Sequence, residues 1–81
     1  MPSTAYRQWV YRLWDRLHQR TGHPVHYMTH NQIAGYCPNC GVGTLHITFR
    51  DDPPRAIVSS QAYPGHCSEG CTEAEVLEVL A

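Results

Sequence analysis

At 81 residues the chain has room for one domain, and an apolar core of that size supplies only about 3–5 kcal/mol, so an additional staple is expected. A formal charge of −1 with no lysine anywhere rules out a broad basic field. The opening MPSTAYRQWV holds no apolar run of leader or membrane-spanning length, so a cytoplasmic protein without membrane contact is expected, in which paired cysteines serve a metal rather than disulfides.

Residues 3–21 are predicted to form the first helix. From Ser3 or Thr4 as N-cap, apolar side chains recur at Tyr6, Trp9, Val10, Leu13, Trp14 and Leu17, the i, i+3, i+4, i+7 spacing of one helical face. Gly22 and Pro24 end the pattern. That stripe is expected to pack on the rest of the fold, with docking of Trp9 and Trp14 on another protein as the alternative. Arg12 and Arg16 lie one turn apart on the polar side with Gln8 and Gln19, a pattern shared by a solvated face and by one that follows phosphates. Next, VHYMTH alternates Val25, Tyr27 and Thr29 with His26, Met28 and His30, which makes it a third strand or a frayed loop.

The stretch CPNCG, Cys37 to Gly41, opens the central unit. Cys-x2-Cys points two sulfurs at one ion, and Pro38 and Gly41 suit the tight turn whose backbone amides bond to thiolate. TLHITF, Thr44 to Phe49, then alternates Leu45, Ile47 and Phe49 with Thr44, His46 and Thr48, as a half-buried strand does. DDPPR breaks the pattern. Asp51 and Asp52 are adjacent and would point to opposite faces of a strand, so they read as a turn and not as a shared magnesium site. AIVSS resumes the alternation as a returning strand that ends near YPG. The second pair, Cys67 and Cys71 in CSEGC, meets the first once the chain has gone out and back. One structural Zn2+ on Cys37, Cys40, Cys67 and Cys71 is therefore expected, with all four positions filled by thiolate and none open for catalysis. Disulfides, iron in the same thiolate geometry and a redox-active Cys-x2-Cys are the other uses of such a set.

The chain closes with TEAE, where Thr72 as N-cap and Glu75 three residues on form a capping box ahead of Val76, Leu77 and Leu80. The expected fold is thus a small α+β domain over 1–81. A zinc ribbon at 36–71, with a two- to three-stranded antiparallel sheet, is flanked by helices at 3–21 and 72–81.

GYCPNC, the strands that follow, and HCSEGCTEAEVLEVLA resemble the zinc-binding domain at the N-terminus of bacterial and phage DNA primases and primase-helicases. The likeness covers the C-terminal half. Family ligands are typically Cys, His, Cys and Cys, and Cys40 here takes the histidine place, a swap that keeps zinc. GVGTLHITF stands where the family has charged residues leading into a strand, so no template contact is carried over. What the resemblance implies is a non-catalytic domain that binds template single-stranded DNA on a sheet face.

Two functions follow as expectations. In the first, a stand-alone accessory to replication or mobile-element maintenance binds single-stranded DNA through His46 with Arg50 or Arg55 beside the strands, and Arg12 and Arg16 add phosphate contacts. Alternation gives Phe49 to the core. In the second, a small phage-like or mobile-element-like module grips a host replication or transcription protein. No nucleophile–base pairing, phosphate loop or open metal site marks an enzyme. His66 beside Cys67, and the group His23, His26 and His30, are expected to be solvated or capping histidines and not ligands.

Overall fold

The computed structural model describes residues 4–29, 31–51, 54–61 and 64–81. Helix α1 (Thr4–Thr21) is followed by strands β1 (His26–Thr29), β2 (Gln32–Tyr36), β3 (Thr44–Asp51) and β4 (Pro54–Ser59), then by helix α2 (Glu73–Leu80). The strands form one antiparallel sheet in chain order, β1-β2-β3-β4. This is one strand more than the two or three expected, and β2 is the addition. Ser3, His30, Asp52, Pro53 and Tyr63 lie outside the described residues, so the alternative N-cap, the second aspartate and one histidine of the 23/26/30 group are not placed.

Alternation along the paired strands sorts their side chains onto two faces. Ile33, Leu45, Ile47, Phe49, Ala56 and Val58 are all buried and face the helices. Tyr6, Val10 and Leu17 of α1 and Val76 and Leu80 of α2 complete that core, so both helices lie on the same side of the sheet. Leu17, wholly buried, contributes about 1.5–3 kcal/mol by leaving water. Trp9 meets Phe49 edge to face with ring centres 5.3 Å apart, and Trp14 stacks on Tyr27 of β1 at 6.2 Å. The tryptophan stripe therefore packs inward.

Leu17 and Val25 pack over Gly35, where a Cβ would sit 3.4 Å from the Leu17 side chain and 3.7 Å from that of Val25, at ordinary contact distance. At the far end of α1, Gly22 takes a φ of 70° and its N–H bonds to the His18 carbonyl, which turns the chain toward β1. Helix α2 starts with the expected capping box: Thr72 accepts from the Glu75 amide, and the Glu75 carboxylate accepts from the Thr72 amide.

Among the described residues no element lies over the opposite face of the sheet. That face carries His26, Thr29, Gln32, Ala34, Tyr36, Thr44, His46, Thr48, Arg50, Arg55, Ile57 and Ser59, as the strand registers require.

Candidate metal centre and sheet face

The candidate metal centre lies where β2 ends and β3 begins. The sulfurs of Cys37, Cys40, Cys67 and Cys71 all lie within 4.8 Å of one another and could hold one metal ion. Cys40 Sγ and Cys67 Sγ are 3.9 Å apart, and the chain has no disulfide. Four sulfurs at about 2.3 Å from a common tetrahedral centre would be about 3.8 Å apart, whereas a disulfide needs about 2.05 Å. The donor set and its spacing fit a single thiolate-bound ion.

Two turns of similar construction hold the sulfurs. Gly41, at a φ of 77°, donates to the Cys37 carbonyl at 2.9 Å; Gly70, at 94°, donates to the Cys67 carbonyl at 3.0 Å. Both torsions lie where only glycine is unstrained. In the second turn the Glu69 and Cys71 amides donate to Cys67 Sγ, and in the first the Cys40 and Asn39 amides act to lower the Cys37 pKa. Gly43 N–H adds a bond to Cys40 Sγ, and the Asn39 side chain reaches across to Cys71 Sγ. The second turn is tied to β3 by Thr44 N–H to Ser68 Oγ and Ser68 N–H to the Thr44 carbonyl, each 2.9 Å.

Gly43 is where the two turns touch. A Cβ at this position would lie 3.0 Å from Cys67 Sγ and Glu69 Cγ, a tight contact that these neighbours could relieve only by giving way a few tenths of an ångström.

As free thiols the cysteines do not titrate alike. Burial pushes Cys37 up to about 12, against the lowering effect of its amide partners. Burial also raises Cys40, but the Val42 and Gly43 amides and the neighbouring thiols outweigh it and bring Cys40 down to about 7. At Cys71 the Asn39 side chain lowers the value, yet desolvation and the Cys40 and Cys67 thiols leave it raised. Cys40 is exposed and is the most acidic of the three.

The described histidines stay out of this centre. His66 Nδ1 contacts the Pro64 carbonyl at 3.1 Å, and His23 packs on Tyr36. Among the described residues the four cysteines are the one cluster with metal-ligand geometry.

The five residues expected to touch nucleic acid fall on two separate surfaces. His46, half-buried, and exposed Arg50 and Arg55 lie on the uncovered sheet face, with Arg50 directly opposite Arg55. Arg12 is exposed on α1, across the molecule from that face, and Arg16 is committed elsewhere, donating to the Leu80 carbonyl at 2.8 Å. Phe49 is core, as alternation requires. Tyr36, on the same open face beside the metal centre, was not singled out from sequence; the signal was an aromatic residue immediately before Cys37.

Compared with protein-family models, curated proteins and solved structures, the chain matches none. Among the described residues no helix is long and apolar enough to cross a membrane.

Proposed function

We propose that this chain is a non-catalytic zinc ribbon that binds single-stranded DNA on the open face of its sheet, as a cytoplasmic accessory to replication or mobile-element maintenance. One observation carries the reading. Arg50 and Arg55 sit opposite each other on an uncovered face where, among the described strand residues, no acidic side chain occurs. Like charges directly across a ladder cost stability, and an anionic ligand offsets that cost. His46, Thr44, Thr48 and the Gln32–Thr48 hydrogen bond give the face a polar surface between the strands. The four-thiolate set supports Zn2+ in a structural role, since four protein ligands leave no place for a reacting water. The primase-like pattern of GYCPNC and HCSEGCTEAEVLEVLA supports the same reading.

Fluorescence anisotropy with a labelled single-stranded oligonucleotide tests it. Each phosphate neutralised on a single strand adds about −0.7 to the slope of log affinity against log salt, so the two arginines give a shallow slope of about −1.4. Arg50→Ala/Arg55→Ala should weaken binding and flatten the slope, while Arg12→Ala should do neither. Absence of binding by the parent chain at low salt overturns the proposal. The second reading, a module that grips a replication or transcription protein, is favoured by exposed Tyr11 and Tyr27 beside Trp14, and then takes the lead.

A further inference from the structure

A groove of about 250 Å³ runs between β1, β2 and β3 at the end of the sheet nearest the cysteines, lined by Pro24, His26, Ala34, Gly35, Tyr36 and Thr44 among others. His26, Ala34, Tyr36 and Thr44 are all open-face positions. We propose that this groove is a nucleobase subsite, in which one base of a bound DNA strand stacks against Tyr36. The inference rests on the single-stranded DNA reading and locates where on the face sequence-bearing contact occurs.

The shape and chemistry suit a base. Ala34 and Gly35 make a low, flat floor with no long side chain to displace. Tyr36 is 38 % exposed, although it belongs to a paired strand, so its ring stands out from the sheet. The imidazole of His23 lies against that ring with centres 4.3 Å apart, which holds it from one side. The next residue, Cys37, belongs to the metal set, so binding of an ion fixes the backbone from which Tyr36 projects. His26 and Thr44 at the rim offer hydrogen-bonding groups to base edges. No carboxylate lines the groove. A second groove of about 260 Å³, between α1 and the β3–β4 hairpin, includes Asp51 and would repel a nucleotide.

Its place relative to the arginines sets a footprint. Thr44 pairs with Tyr36 at one end of β3, and Arg50 pairs with Arg55 near the other. Six residues of strand at about 3.4 Å each separate them by about 20 Å. A base held at Tyr36 and phosphates held at Arg50 and Arg55 therefore belong to one short segment, near the lower limit of about four nucleotides that small single-strand-binding folds occupy.

The test uses the full-length zinc-loaded chain and a thymidine oligonucleotide with 2-aminopurine at one position, moved along the strand in successive probes. The parent chain should quench the fluorescence at one position more than at its neighbours. Tyr36→Ala should bind about tenfold or more weakly, consistent with loss of one stacked base, and should abolish the positional quenching while leaving the salt slope unchanged. Tyr36→Phe should retain both affinity and quenching. Arg50→Ala/Arg55→Ala should flatten the salt slope but quench normally at saturation. Metal content and melting temperature of Tyr36→Ala, matched to the parent, show that the loss is local. If the parent binds and Tyr36→Ala binds and quenches equally well, the subsite is wrong and the DNA-binding reading stands. If the parent does not bind at all, both fail. An RNA oligonucleotide bound tenfold more tightly than DNA overturns the choice of ligand.

Discussion

Arg16 on α1 reaches across to α2 and donates a 2.8 Å hydrogen bond to the carbonyl oxygen of Leu80, the last helical residue. The last turn of α2 contains no basic residue of its own. A cation at the negative end of the helix is therefore supplied from a distant part of the chain, where it satisfies a carbonyl that the helix leaves unpaired.

Arg16→Gln should accordingly cost stability and leave DNA affinity unchanged. The expected loss is about 1 kcal/mol for a half-buried charge-assisted bond, or a fall of about 4–8 °C in melting temperature for a domain this small. Thermal denaturation beside anisotropy measures both. A normal melting temperature with weakened DNA binding would return Arg16 to the list of phosphate contacts.

Metal and folding should be inseparable. Structural zinc contributes on the order of 10–16 kcal/mol of apparent binding free energy at neutral pH, far above what the apolar core supplies. Cys37→Ser or Cys71→Ser should unfold the ribbon half, and native mass spectrometry should count one ion per folded chain. Folded protein with no metal, or with two disulfides, contradicts the assignment.

Metal binding should also release protons. Cys37, pushed up to about 12 by burial, and Cys71, raised by desolvation and neighbouring thiols, are protonated near neutrality and must lose those protons to become ligands. Affinity should therefore fall as pH falls, because protons compete with the ion. Calorimetric titration in buffers of differing ionisation enthalpy counts the protons released.

Gly43→Ala probes the contact between the two cysteine turns. The added Cβ meets Cys67 Sγ and Glu69 Cγ at 3.0 Å, so the second turn must back away from the first. Disturbances just outside the ligand shell typically cost 10–100-fold in metal affinity, and competition with a chromophoric chelator should show a loss of that size. Equal affinity for both forms would mean that the turn at 67–71 yields freely.

The two tryptophans should answer differently to trimming. Trp9→Ala removes an aromatic packed on Phe49 and Tyr6 and should cost about 3–5 kcal/mol. Trp14 carries a buried indole N–H with no hydrogen-bond partner, and Trp14→Phe deletes that unsatisfied donor while retaining a ring against Tyr27. Near-parental or slightly raised stability is expected, because an orphaned buried donor costs about 1–3 kcal/mol. Chemical denaturation of the two variants compares them.

Helix α1, the β3–β4 hairpin, the capped α2 and the gathering of four cysteines were all legible, because each is written in local periodicity or spacing. Strand β2 was not. In QIAGY only Ile33 announces a buried position, and the next core-facing place is Gly35, which has no side chain and is covered by Leu17. A strand whose inward face is partly supplied by another element's side chain shows no alternation of its own. Strand β1 was ambiguous for a related reason: all four residues are exposed, and only pairing with β2 defines it. The separation of Arg16 from Arg50 and Arg55 likewise depended on tertiary placement, which spacing along the chain does not encode.

The two edges of the sheet are unequal. On β4, Pro54 has no N–H to offer, the Val58 amide is held by the Glu73 carboxylate at 3.0 Å, and Ser59 bridges Pro64. On β1, no further strand among the described residues pairs with the outer side. A sheet with a single usable edge can be extended by one neighbour only. Joining two copies edge to edge through β1 consumes the open side of both, so growth by strand addition ends at a pair and does not run on into a filament.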